Sequence, residues 1–160
     1  MSVIQLVQSL VDHSVDFVVI GGWSAIIHGS ANVTSDVDIC YSRESGNLSR
    51  LVRSLAPFHP RLRGVPSDLP FIWDEVMVSN GTIFTLSTDA GPIDLLAEVA
   101  PLGGFDSVKS RSVTVQAFGR TVWTLDLPAL IESKRAAGRE KDLRSLPELE
   151  GLLEARTDES

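Results

Sequence analysis

The chain has 160 residues, 43% of them hydrophobic and 22% charged, which suits one soluble globular domain over 1–160 and excludes disordered, collagenous and membrane-spanning classes. Fourteen Lys and Arg against 21 Asp and Glu leave a net charge of −7, so duplex nucleic acid cannot be held by general phosphate neutralisation and any such contact must be local. The one cysteine, Cys40, excludes an intramolecular disulfide and a Cys-based zinc site; a start without a basic segment makes the cytoplasm the expected compartment, with no membrane partner.

Val3, Ile4, Leu6, Val7, Leu10 and Val11 recur at i, i+3, i+4 and i+7, which predicts a short helix over 3–11 with one apolar face. The β-branched run 16–20 predicts a strand buried on both faces that stops at Gly21-Gly22. A second short helix is expected over 24–28, ended by Gly29. The next strand is expected over 34–41, with Val37 and Ile39 on one side and Asp36, Asp38 and Cys40 on the other. Leu48, Leu51, Val52 and Leu55 predict a third helix, and the prolines of 57–70 predict an irregular stretch. Residues 82–86 and 92–96 form a hairpin across Thr88-Asp89-Ala90-Gly91, and 113–118 with 121–124 form a second across Gly119-Arg120. Asp126 is placed to cap a helix over 127–137, with Pro128 in its first turn and Gly138 at its end. The tail 140–155 is expected to hold one or two helices, the last starting at Pro147.

Two carboxylates on one strand face, Asp36 and Asp38, repel each other unless cations or solvent compensate them. Magnesium prefers such hard oxygen ligands and is usually held by one or two carboxylates plus substrate phosphates. Asp94 interrupts an otherwise apolar strand, where a charge is costly without a partner. If the three converge, they make a two-metal site, in which one ion activates an attacking hydroxyl and both stabilise a transferring phosphoryl group. Gly21-Gly22, between strand and helix, lets backbone N–H groups approach phosphate oxygens, and Ser24 adds a hydroxyl. A Gly-Gly turn or an Asp-x-Asp pair alone is more often a tight turn or a solvated edge, and Asp94 alone could equally be a salt-bridged core residue; here their order and spacing carry the weight.

Gly21-Gly22-Trp23-Ser24, then Asp36-Val37-Asp38, then Asp94, resembles the DNA polymerase beta-like nucleotidyltransferase superfamily. The stretches 21–29 and 34–39 look like its bacterial uncharacterised and toxin–antitoxin-associated branches, as does Lys134-Arg135-Ala136-Ala137-Gly138-Arg139-Glu140-Lys141-Asp142-Leu143, so the resemblance covers roughly residues 15–150. It implies an α/β (α+β) nucleotidyltransferase fold: a small, twisted mixed sheet with flanking helices and a helical C-terminal segment. It also implies transfer of a nucleoside monophosphate from an NTP to an acceptor hydroxyl with release of pyrophosphate. Gly21, Gly22 and Ser24 would bind the triphosphate, Asp36 and Asp38 would hold Mg²⁺ as two ions, and Asp94 would complete the metal site or act as base. Related sequences often carry Arg where this chain has Asn32; Lys134 or Arg139 could replace it at the phosphates, the alternative being that Lys134, Arg135, Arg139 and Lys141 only complement a helix C-terminus and neighbouring acids.

The acceptor expected by analogy is a macromolecule, tRNA or a partner protein such as a toxin or antitoxin, with Arg61 and Arg63 or 134–141 as the basic surface that tRNA requires. The rival readings are a non-catalytic, antitoxin-like binding protein and an antibiotic nucleotidyltransferase. His28 lacks a partner at ligand spacing and reads as a packing residue, while His13 and His59 read as surface or loop residues. Cys40 reads as a small buried residue, Trp23 and Trp73 as packing aromatics before nucleobase platforms, and Trp123 as a structural strand residue.

Overall fold

A computed structural model describes residues 2–66 and 68–158. The first apolar stripe folds as α1 (Val3–Asp12), burying Val3, Leu6, Val7 and Leu10. Strand β1 (Phe17–Ile20) is buried at every residue, as its composition predicts. Helix α2 (Gly21–Ile27) begins earlier than expected, directly at the glycine pair, and β2 (Val37–Tyr41) begins later, leaving Asp36 just ahead of the strand. Helix α3 (Ser45–Leu55) follows. The stretch expected to be irregular contains a single 3-10 turn, Ala56–Phe58, and the two-residue strand β3 (Arg61–Leu62). Helix α4 (Glu75–Ser79) was not predicted; Asp74 caps it by accepting from the Met77 N–H at 2.8 Å.

Both hairpins form. In the first, β4 (Ile83–Thr88) and β5 (Gly91–Leu96) meet across Asp89 and Ala90. Two-residue strands β6 (Glu98–Val99) and β7 (Gly103–Gly104) and the short helix α5 (Phe105–Ser110) come next. The second hairpin joins β8 (Ser112–Ala117) to β9 (Arg120–Leu125), and its turn is Phe118-Gly119 instead of Gly119-Arg120. Both turn residues have positive φ, 58° and 69°, the geometry that matches the twist of a tight hairpin. Helix α6 (Leu127–Ala137) has the expected bounds and cap, with the Ala129 N–H donating to Asp126 at 2.7 Å. The tail is one helix, α7 (Glu140–Asp158), with Pro147 inside it and not at its start.

Among the described residues the main sheet has seven strands in the order β3-β4-β5-β2-β1-β9-β8; β6 and β7 pair separately. β1 runs antiparallel to β2, β2 parallel to β5, and β4 antiparallel to β5, so the sheet is mixed. Period-two alternation gives it two apolar faces. Phe17, Val19, Val37, Ile39, Tyr41, Ile93 and Leu95 pack against α1, α3 and α4. Val18, Ile20, Cys40 and Leu125 face the other way, against α2, α5, α6 and α7. No helix among the described residues is long and apolar enough to cross a membrane.

Candidate active site

Alternation also decides where the carboxylates go. With Val37, Ile39, Ile93 and Leu95 committed to the α1/α3 face, Asp38 and Asp94 emerge on the face of α6 and α7. They are register partners on the parallel strands β2 and β5, so their side chains stand side by side. The row extends across the sheet: Asp94 pairs with Thr85 on β4, and the Arg63 N–H, just past β3, donates to the Thr85 carbonyl at 2.9 Å. The chain thereby delivers a guanidinium to the acids. Arg63 Nη2 lies 2.8 Å from Asp94 Oδ1, and Nη1 lies 3.6 Å from Asp36 Oδ2. Asp36 Oδ1 accepts from Ser35 Oγ at 2.8 Å.

Asp38 has no such compensation. Its Oδ1 is buried without a hydrogen-bond partner. Burial, then the neighbouring Asp94 and Asp36 charges, push its carboxyl up from 3.8 to about 7, against a smaller opposing pull from Lys141. Gly21 underlies this carboxylate. Its φ is +66°, and a Cβ built there would run into Asp38 Oδ2, so any side chain would be strained and would displace the acid.

These residues floor a cleft of about 650 Å³ between the sheet and the α6–α7 junction. Gly21, Gly22, Asn32 and Thr34 line one side, and Lys134, Arg139 and Lys141 line the wall opposite the acids. Asp142 organises that basic wall: Arg139 Nε donates to it at 2.7 Å and Lys134 Nζ lies 3.7 Å away. Burial opposes ionisation of Asp142, yet these two cations hold its carboxyl below the usual range. Arg139 is raised, first by Asp142 and to a lesser extent by Asp38 and Asp94 across the cleft. An acidic floor facing a basic wall suits a polyphosphate carried with a cation.

The structure thus brings Asp36, Asp38, Asp94, Gly21, Gly22 and Lys134 to one cleft. It places Ser24 elsewhere: the side chain is fully buried, and its Oγ accepts from Thr124 Oγ1 at 2.7 Å. Asn32 stands at the cleft edge, within 3.4 Å of Glu148. Arg63 is the site residue whose position sequence reading missed, because nothing local ties a loop arginine to Asp94; the three-strand register does. Arg61 turns instead to Asp89, at 3.5 Å. His28 is a packing residue, its Nε2 2.6 Å from the Leu125 carbonyl oxygen, with burial as the main cause of its lowered pKa. Cys40 is fully buried, and its thiol is pushed up to about 12 by burial and by Glu98. Trp23 packs edge-on against Phe118, Trp73 donates to the Val52 carbonyl, and Trp123 lies under Lys109.

Among the described residues, no three His, Cys, Asp or Glu side chains converge closely enough to hold an ion by themselves; the Arg63 guanidinium stands between Asp36 and Asp94. The donor set still fits magnesium, which needs only one or two carboxylates when phosphate oxygens complete its shell. The orphaned Asp38 Oδ1 is the atom that such an ion would satisfy.

No family profile matches the chain, and no curated protein matches it. Its fold is similar to the crystal structure of a putative nucleotidyltransferase from Thermotoga maritima: the TM-score is 0.53 at 15% identity, over 89% of this chain and 86% of that one. The architecture is that of a nucleotidyltransferase fold, with a central mixed sheet, flanking helices and a C-terminal helix.

Proposed function

We propose that the chain is a Mg²⁺-dependent nucleotidyltransferase that moves a nucleoside monophosphate from an NTP to an acceptor hydroxyl. The observation that carries this reading is the pairing of Asp38 with Asp94, in register on the cleft floor, opposite a wall of Lys134, Arg139 and Lys141. The basic wall holds the triphosphate, and the Gly21-Gly22 backbone lets it approach Asp38. Asp36 and Asp38 would hold the cation, which when bound would draw off charge from the phosphate oxygens and so lower the barrier to attack. The acceptor oxygen bonds to the α-phosphorus, the bond from that phosphorus to the bridging oxygen breaks, and pyrophosphate leaves. Asp94, on the floor beside Asp38, takes the hydroxyl proton.

The acceptor proposed is a macromolecule, tRNA or a partner protein, in the cytoplasm and in a toxin–antitoxin setting. Support comes from the resemblance of the motifs to those branches. A non-catalytic binding role is the second reading, favoured by one observation: Arg63 already compensates Asp36 and Asp94.

The test is transfer of label from each α-labelled NTP, with Mg²⁺, into the RNA and protein fractions of a bacterial lysate. The Asp38→Ala variant is expected to lose at least about a hundredfold in transfer, the scale on which removal of one preorganised electrostatic group slows an enzyme. Wild-type transfer that survives in Asp38→Ala refutes this assignment. Absence of transfer and of Mg·NTP binding in the wild type favours the binding role.

A further inference from the structure

Arg63 is held in an unusual way for a structural arginine. Its Nη2 donates to the Leu86 carbonyl at 2.7 Å, which anchors the guanidinium. Its approach to Asp94 at 2.8 Å is an ion pair without hydrogen-bond alignment, the approach to Asp36 is longer at 3.6 Å, and its buried Nε has no acceptor. The guanidinium is close enough to neutralise both acids and too poorly aligned to lock them. It also comes from the sheet edge: β3 is two residues long, so the side chain can leave the acids without any core strand moving.

We propose that Arg63 is a built-in counter-cation of the carboxylate floor, occupying the position between Asp36 and Asp94 in the resting protein, competing with the divalent ion for Asp36 and compensating Asp94 until the ion arrives. This rests on the nucleotidyl-transfer reading of the cleft and adds a resting state to it. The competition is electrostatic. Two acids with a monovalent organic cation between them are compensated, and an ion of charge +2 gains their full attraction only after the guanidinium withdraws. The long arginine stem permits that withdrawal while the Arg63 N–H stays on the Thr85 carbonyl, and the hydrogen bond it gives up is that from Nη2 to the Leu86 carbonyl. Arg63 is accordingly a positioning residue that sets the metal affinity of the resting site.

Titration of the purified full chain with Mn²⁺, without nucleotide and followed by electron paramagnetic resonance, decides the matter. Arg63→Gln is expected to bind Mn²⁺ about tenfold more tightly than wild type, a modest part of what one competing unit charge at this range is worth. Arg63→Lys, which keeps the charge, is expected to return most of the wild-type affinity. Melting in EDTA supplies the second readout: Arg63→Gln unfolds at a lower temperature than wild type, and saturating Mn²⁺ closes the gap. A merely structural arginine would lower stability in both conditions and leave Mn²⁺ affinity unchanged or weaker, and that result overturns the proposal. If wild type binds Mn²⁺ and Arg63→Gln binds it equally, the counter-cation fails while the nucleotidyl-transfer reading stands. If neither protein binds Mn²⁺ the counter-cation fails, and the nucleotidyl-transfer reading fails with it only where the wild type also transfers no label.

Discussion

Asp38 and Gly21 behave as a single unit at the bottom of the cleft. Burial, Asp94 and Asp36 raise the Asp38 carboxyl to about 7 in the folded chain, against 3.8 for a free carboxyl. The metal-free folded state therefore holds a proton that the unfolded state releases earlier. This contribution to stability is fully present below about pH 3.8 and is lost as pH rises towards 7. Urea midpoints of wild type in EDTA, measured from pH 5 to 8, are expected to fall relative to those of Asp38→Asn, which cannot titrate. Gly21→Ala tests the other half of the unit. A non-glycine residue at φ +66° costs of order 1–3 kcal/mol, to which displacement of the Asp38 carboxylate adds, so its urea midpoint should drop clearly below wild type. The acids and the glycine pair were legible in the sequence because each breaks a local rule: a charge in an apolar strand, or two flexible residues between strand and helix. Arg63 broke no local rule. Its meaning arises only when β3, β4 and β5 align, which is information spread over residues 61–96.

The same contrast between local and distant information runs through the elements. Helix α6 was readable to its ends because Asp126, Pro128 and Gly138 are all short-range signals, and the two hairpins were readable because alternating strands flank turn residues. The pairs β6 and β7, and the short helices α4 and α5, have too few residues to establish a period. Pro147 misled for a different reason. Proline usually opens a helix, yet here Leu146 and Leu149 are buried on either side of it against the α6 layer, and this packing keeps α7 continuous despite the lost N–H. Pro147→Ala restores the missing helical hydrogen bond at an exposed position. It is expected to stabilise the protein by up to about 3 kcal/mol in denaturant titration, with no change in cleft chemistry.

At the scale of the whole molecule, α7 ties the C-terminal half to the strand–helix unit that carries the glycine pair. Glu148 accepts from Ser30 Oγ at 2.6 Å and from the Ala31 N–H at 3.0 Å, and Arg156 donates to the His28 carbonyl at 3.0 Å. The segment leading from α2 to Asp36 has no strand of its own, so these contacts set its path past the cleft. Glu148→Ala should therefore accelerate hydrogen exchange at Ala31 and its neighbours while leaving amides of β1 and β2 protected. Exchange spreading into the strands would mean that α7 supports the whole sheet and not the segment alone.

Burial of the lone thiol has a practical corollary. Cys40 is the penultimate residue of β2, with no exposed surface and a thiol pushed up to about 12, so an alkylating reagent meets almost no reactive sulfur while the sheet is closed. Its labelling rate becomes a clock for opening of the central strands. A cysteine introduced at Val33, 95% exposed beside the cleft, would take a fluorophore selectively without first mutating the native one, giving an optical handle on ligand arrival in an otherwise unmodified protein.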